Sequence, residues 1–322
     1  MPAEAPADVL AAFTECRPRQ APPRSGVRLH ASPARNERGE PIFSVWRLEG
    51  KEGTEYRLRW SHRGDCAEYD IAVDGRKVRV ARSEGLPFED VVSVLIGPVL
   101  GCVLRAQGLT GLHASALAYH GGAIVIMAPK GGGKSTLAAH LCAQGLPLLT
   151  DDIAALKESK GRFLLQPGYP RMRQWPSTLS TLPNLDPSAL PRVLSLMEKR
   201  YVNLRPCGGT SPWQFQSRPQ PLLGIYVLET PGPADTSPCV HAIRATDALV
   251  ALVRNTYADY MLDRAGRARD FELLGEVAGK IPLRLVRRPL GLQSVRPVCR
   301  SILEDAKMLR RVALKLTHAR VG

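Results

Sequence analysis

The sequence predicts an α/β protein in which a small β-rich N-terminal domain precedes a phosphate-loop domain. Three observations carry that prediction. Residues 41–86 alternate apolar and polar in short stretches, Ala123–Ala128 is a continuous apolar run followed by "PKGGGKS", and the next helical stretch leads to a short strand ending on two adjacent aspartates.

A chain of 322 residues, 44% hydrophobic and 23% charged, can bury a sizeable core in roughly two domains. Residues 1–40, rich in Pro, Ala and Arg, read as a poorly ordered lead-in. In residues 41–109, "PIFSVWRLEG", "TEYRLRWSH", "AEYDIAVDG" and "RKVRVARSEG" are strand-length segments bounded by Gly or Asp, with "DGRK" as a tight turn. Helical periodicity from about Glu89 to Gln107 supplies a connecting helix. Residues 110–322 form the phosphate-loop domain, ending in a basic helical segment.

Composition excludes several function classes. The N-terminus has no basic stretch leading into an apolar one, so no secretory signal is expected. The longest apolar run, Val91–Leu104, is short and interrupted by Pro98, so no membrane span is expected and the location read from the chain is cytoplasmic. The seven cysteines are scattered, without a CxxC pair or a nearby His at ligand spacing, and read as reduced thiols. The net charge is +14, and Ile281–Gly322 holds ten Arg or Lys against two acids. No zinc finger, helix-turn-helix or RNA-binding aromatic run accompanies that charge, so a nucleic-acid partner is not expected.

The apolar run Ala123–Ala128 suits a strand buried on both faces. "STLAAHLCAQG" is a helix stopped by Gly145, and "LPLLT" is a strand ending at Asp151 and Asp152. This order of strand, Gly-rich loop, helix and strand is that of a P-loop, with Ala128 in place of the usual first glycine. The nucleotide-binding set is then Lys130, Gly131, Gly132, Gly133, Lys134, Ser135 and Thr136. Backbone N–H groups from Gly131 to Thr136 can wrap a β-phosphate at a helix N-terminus, Lys134 can reach β- and γ-oxygens, and the Ser135 hydroxyl can ligate Mg²⁺. At the carboxyl end of the next strand both aspartates can stand beside a γ-phosphate, one holding metal and the other accepting a hydroxyl proton.

The stretch "LHASALAYHGGAIVIMAPKGGGKSTLAAHLCAQGLPLLTDDIAAL" resembles the nucleotide-binding core of the HPr kinase/phosphorylase family. His113, Gly133, Lys134, Ser135, Asp151 and Asp152 match that family's pattern in order and spacing. The resemblance implies a core of the HPr kinase/PEP carboxykinase-like type using ATP and Mg²⁺. It implies that Asp151 is the base for a serine hydroxyl, that His113 is its partner, and that Asp152 is a metal or positioning carboxylate beside Ser135. By analogy alone, Glu229 in "PLLGIYVLE" falls near the site.

The family's glycine-rich acidic loop after the aspartates has no counterpart; "PGYPRMRQWPSTL" stands in its place, which removes the loop's magnesium glutamate and its support for a reverse, phosphorylase activity. With "EYRLRW", "PGYPRMRQW", "KRYVNL" and "IYVLE", the chain is more similar to HPr-kinase-like enzymes of peptide-tailoring gene clusters, including lasso-peptide kinases. That implies a ribosomally made precursor peptide as partner, phosphorylated on its C-terminal serine. Arg171, Arg173, Lys199 and Arg200, with Arg284, Arg287 and Arg288, can clamp a carboxylate or phosphate, against the alternative of a solvated basic face. Among them Arg171, Arg173, Arg287 and Arg288 are the substrate-binding candidates. Trp175, Tyr201 and Trp213 can line an acceptor groove, but buried packing is the first reading for each. A small-molecule kinase, an HPr-like regulatory kinase, and a nucleotide-dependent regulator or ATPase remain alternatives, and neither ATP over GTP nor the oligomeric state is set by the sequence.

Overall fold

Alternation becomes a sheet in which neighbouring strands share both a core face and a charged face. The computed structural model describes residues 9–13, 26–50 and 53–318. Its chain divides into two compact units, Met1–Leu109 with Ala258–Asp263, and Thr110–Tyr257 with Arg264–Gly322.

The described residues of the first unit hold six strands, β1 (Leu10–Phe13), β2 (Val27–Ala31), β3 (Phe43–Gly50), β4 (Gly53–His62), β5 (Asp65–Ala72) and β6 (Lys77–Arg82). They lie in the order β1-β6-β5-β4-β3-β2. Leu58 sits opposite Tyr69 on the buried face, and the flanking pairs Arg57 with Asp70 and Arg59 with Glu68 are cross-strand ion pairs. The stretch expected as a lead-in therefore supplies both edge strands. Edge strands are short and half exposed, so they carry little of the alternation that marks a central strand. Residues 1–8 and 14–25 of that stretch lie outside the described residues.

The expected connecting helix is two helices, α1 (Phe88–Val94) and α2 (Leu100–Ala106), joined through a wide turn over Leu95–Val99. Pro98 cannot donate a helical hydrogen bond, and Gly97 beside it leaves helical geometry at φ −106° and ψ −108°. The Tyr69 hydroxyl donates to the Val91 carbonyl and fastens α1 to the sheet. Ala258–Asp263 belongs to this unit through Tyr260, which stacks on His30 with ring centroids 4.3 Å apart.

The second unit begins with β7 (Thr110–Tyr119) and β8 (Gly122–Met127), an antiparallel hairpin. His120 and Gly121 at its turn both take positive φ, as a two-residue type I′ turn demands. Then come α3 (Lys134–Ala143), β9 (Leu148–Thr150), β10 (Ile153–Ser159), β11 (Arg162–Leu165), β12 (Arg171–Gln174), α4 (Pro176–Leu179), β13 (Arg200–Asn203), β14 (Arg205–Pro206) and β15 (Gln214–Phe215). The chain finishes with β16 (Gln220–Leu228), β17 (Cys239–Ala242), α5 (Ala245–Arg254), α6 (Arg264–Lys280), β18 (Leu283–Arg287) and α7 (Val295–His318). The fold is mixed α/β with several sheets.

β8 is buried throughout and alternates between two cores. Ile124, Ile126 and Ala128 pack with Leu137 and Leu141 of α3 and Val298 and Ile302 of α7, while Ala123, Val125 and Met127 pack with Leu252 of α5 and Leu274 of α6. A strand covered by helices on both faces has no polar side, which is why its sequence is a continuous apolar run. β16 lies parallel to β8, and β18 parallel to β16. Gly224 lets α7 approach β16: a Cβ there would stand 2.8 Å from Leu309 Cδ1. α7 is also tied by Asp305, which accepts from the Tyr226 hydroxyl and from Arg284 Nε.

The sheet is mixed, with parallel and antiparallel neighbours. β7 runs antiparallel between β8 and β9, so the first half of β7 lies beside the carboxyl end of β8, with Ala114 opposite Met127. β9 and β10 follow one line against β7, Thr150 facing Ala116 and Ile153 facing His113. The aspartates interrupt that line. No helix among the described residues is long and apolar enough to cross a membrane, and the six described cysteines are free.

Candidate active site

The loop after β8 has the backbone of a phosphate cradle. Gly131 and Gly133 take φ of 78° and 82°, a region that disfavours side chains, and Gly133 caps the N-terminus of α3. A Cβ on Gly132 would come within 2.8 Å of the Pro129 carbonyl oxygen and 2.9 Å of Ala128 Cβ, so the middle glycine is required by space. α3 ends in a Schellman motif, Gly145 N–H donating to the Cys142 carbonyl and Leu146 N–H to that of Leu141. Lys134 is buried, Ser135 and Thr136 are half-buried, and Lys130 and Gly131 are exposed. The Thr136 hydroxyl lies 3.1 Å from that of Thr178, joining α3 to α4.

Asp151 and Asp152 fall in the break between β9 and β10, level with Ser115 and Ala114 of β7. Ala114 N–H donates to the Asp152 carbonyl, and Asp152 takes a φ of 79°, which turns its side chain away from the strand's ordinary alternation. The two carboxylates consequently have different partners. Asp151 is 4% exposed; its Oδ1 accepts from Ser115 Oγ at 2.8 Å and from Ser135 Oγ at 3.2 Å, and its Oδ2 from the Arg173 N–H at 3.1 Å. The Asp152 side chain is 27% exposed and faces three cation-capable groups: His113 Nδ1 at 3.2 Å, and Lys134 Nζ and Arg173 Nη1 each at 3.9 Å.

His113 is brought here because β7 is antiparallel to β8, and its backbone N–H is fixed by the Asn255 carbonyl at 2.7 Å. Lys134 Nζ lies 2.8 Å from His113 Nε2. An ammonium has donors and no acceptor, so Nε2 must be bare and the imidazole neutral with its proton on Nδ1. Burial pushes the His113 pKa below its ordinary 6.5, with Asp152 opposing and Lys134 reinforcing that direction. Nδ1 stands at ion-pair distance from Asp152 Oδ1 but off the line of a hydrogen bond, so the contact is electrostatic.

The remaining candidates divide. Arg288, just past β18, donates from Nη2 to the Gly132 carbonyl at 2.7 Å, placing a guanidinium on the loop; burial lowers its pKa. Arg287 is exposed and turns to Glu229, Nε 3.6 Å from Oε2, at the carboxyl end of β16. Arg171 and Arg173 lie on β12, which pairs antiparallel with β13 as a separate ribbon. Trp175, read first as packing, is 49% exposed, whereas Tyr201 and Trp213 are buried. Two site residues escaped the sequence reading. Ser115 is two residues beyond His113 on one strand, and that i, i+2 spacing is the signal that places both on one face. Gln174, whose Nε2 donates to the Ser135 carbonyl at 2.8 Å, gave none.

No family profile and no curated protein matches the chain. Among solved structures it is similar to the HPr(Ser) kinase/phosphatase from Coxiella burnetii, at 13% identity and a TM-score of 0.34, over 65% of this chain and 96% of that one. A likeness of that size carries no inference.

The donors fit a nucleotide with Mg²⁺. Among the described residues no cluster of three His, Cys, Asp or Glu could hold a metal unaided. Mg²⁺ is ordinarily held by one or two carboxylates together with phosphate oxygens and water, and Ser135 with Asp151 offers that hard-oxygen set beside the cradle.

Proposed function

We propose that this chain is a kinase that transfers the γ-phosphoryl group of Mg-ATP to a serine hydroxyl on a peptide or protein. The observation that carries this reading is the separation of two adjacent carboxylates, one hydrogen-bonded to the P-loop serine and the other half-exposed beside a neutral histidine. A site that only hydrolyses nucleotide has use for the first. The second suits an acceptor hydroxyl.

Bound Mg-ATP supplies the phosphoryl group and the charge neutralisation that its transfer needs. The chain's own residues do the rest. The cradle amides of Gly131–Thr136, the Lys134 ammonium and the Arg288 guanidinium hold and neutralise phosphate oxygens. Asp151, joined to Ser135, serves the metal side. Asp152 accepts the proton of the serine hydroxyl as its oxygen bonds to the γ-phosphorus and the bond from that phosphorus to the β,γ-bridging oxygen breaks. This division reverses the roles that the family resemblance implies, and it rests on the hydrogen bonding of Asp151 to Ser115, Ser135 and the Arg173 amide. Lys134, now 2.8 Å from His113 Nε2, would hold phosphate oxygens in place of that contact, and His113, 3.2 Å from Asp152, would remain beside the base.

The acceptor favoured by the sequence resemblance is the C-terminal serine of a lasso or related precursor peptide. The test is transfer of labelled phosphate from ATP to serine-ending and internal-serine peptides with Mg²⁺ present. Phosphoserine product supports the kinase; ATP consumption yielding only free phosphate with every peptide and with small hydroxyl acceptors would leave a regulator or ATPase.

A further inference from the structure

The ribbon of β12 and β13 has two unlike faces. Arg173 sits opposite Tyr201, and the same register carried outward sets Trp175 opposite Lys199. Strand alternation puts Met172, Gln174 and Val202 on the buried face, where Met172 and Val202 join the core around α3. The other face carries Arg171, Arg173, Trp175, Lys199 and Tyr201.

On that face cations and rings are stacked on one another. The Arg171 guanidinium lies 5.3 Å from the centre of the Tyr201 ring, that of Arg173 5.9 Å from both Tyr201 and Tyr169, and Lys199 Nζ 5.3 Å from Trp175. Such contacts hold a cation in place without consuming its charge. The ribbon is hydrogen-bonded to the reaction centre through the Arg173 amide on Asp151 and Gln174 on the Ser135 carbonyl, and the Arg173 guanidinium stands 3.9 Å from Asp152. Lys199 belongs to the same electrostatic field: burial lowers its pKa, Asp151 and Asp152 act to raise it, and Lys134 and Arg173 to lower it. Asp151 and Asp152 already serve Ser115, Ser135, His113, Lys134 and Arg173. Lys199 stands half-buried with its ammonium over the Trp175 ring, and an anion beside it would offset its desolvation.

We infer that Lys199, seated on Trp175 beside Arg173, is an acceptor subsite for a carboxylate borne next to the hydroxyl that is phosphorylated. This rests on the kinase reading above and makes Lys199 and Trp175 specificity-determining residues for an anionic acceptor. The carboxylate can be a chain terminus or the side chain of a following acidic residue. Both present the same group to the ammonium.

Binding, read by calorimetry with Mg²⁺ and a non-hydrolysable ATP analogue, tests the subsite without relying on turnover. The probes are Ala-Ala-Gly-Ser as free acid, the same peptide as its amide, and Ala-Ser-Asp amide. The free acid is expected to bind at least about tenfold more tightly than its amide, the size of one hydrogen bond to a charged group. Lys199→Met and Trp175→Ala are expected to erase most of that preference while leaving nucleotide affinity within about twofold, and Lys199→Arg to keep it. Ala-Ser-Asp amide binding like the acid assigns the carboxylate to a side chain; binding like the amide assigns it to the terminus. Equal binding of acid and amide to the unaltered protein overturns the subsite, as does an undiminished preference in Lys199→Met. Acid preference without phosphoserine formation would sink the kinase reading and leave the subsite standing.

Discussion

Ser135 Oγ donates to Asp151 Oδ1 at 3.2 Å, so the hydroxyl that follows the three glycines and Lys134 is already joined to the first aspartate. The second aspartate has no such tie. Its neighbours are His113, Lys134 and Arg173.

The two carboxylates should therefore fail differently. Asp152→Asn is expected to lower kcat for peptide phosphorylation by about 10²–10⁴-fold, the ordinary weight of a general base, with nucleotide affinity little changed. Asp151→Asn is expected to weaken nucleotide binding chiefly in the presence of Mg²⁺. Calorimetric nucleotide titrations with and without Mg²⁺, set beside single-turnover rates, separate the two. The opposite pattern would return the base role to Asp151.

His113 should be a neutral Nδ1–H tautomer in the nucleotide-free protein. Nitrogen-15 chemical shifts of the labelled imidazole ring check this directly, and protonation at Nε2 would contradict it. Its folded pKa lies below 6.5, so the unfolded chain binds this proton more tightly than the folded one. The stability this site contributes is complete above about pH 6.5 and is lost as pH falls through the folded value. His113→Asn should consequently flatten the dependence of urea stability on pH below 6.5.

Gly132→Ala should damage the loop through space alone. Its Cβ meets the Pro129 carbonyl and Ala128 Cβ, and neither can retreat without moving β8 or the cradle. A fall of about tenfold or more in nucleotide affinity is expected, equivalent to about 1.4 kcal/mol. Gly209→Ala, where nothing crowds the position and φ is ordinary, serves as the comparison and should leave affinity unchanged.

Asp305 holds α7 against the sheet by accepting from Tyr226 and Arg284. Asp305→Ala leaves that hydroxyl and a mostly buried guanidinium without their carboxylate. A loss of about 3 kcal/mol is expected, read as a lower urea midpoint. A midpoint unchanged from the parent would show that α7 is held by its apolar face alone.

What could be read in advance was local. The run Ala123–Ala128, the three glycines and the stop at Gly145 each declare their conformation within a few residues, because burial on two faces, positive φ and a helix C-cap have compositional signatures. What escaped depended on residues far apart in the chain. Nothing in "LHASALAY" says that it lies between β8 and β9 and runs against both, and that arrangement is what brings Ser115 level with Asp151. The β12–β13 ribbon pairs Arg173 with Tyr201 across a long connection, so Trp175 looked like core when judged by hydrophobicity and is instead half-exposed beside Lys199. The edge strands β1 and β2 were hidden among prolines because an edge needs so little apolar pattern.

Tyr260 stacks on His30 and lies 3.6 Å from the Cys102 sulfur, although the chain on either side of Ala258–Asp263 belongs to the other unit. The two units are therefore interleaved along the chain and are not consecutive halves. A fragment cut to begin at Thr110 would keep the glycine-rich loop and both aspartates, yet would carry a six-residue excursion stripped of the His30 ring and the Cys102 sulfur it packs against. Anyone trimming this protein for crystallisation or for a peptide screen should replace 258–263 with a short polar turn, or keep the N-terminal sheet.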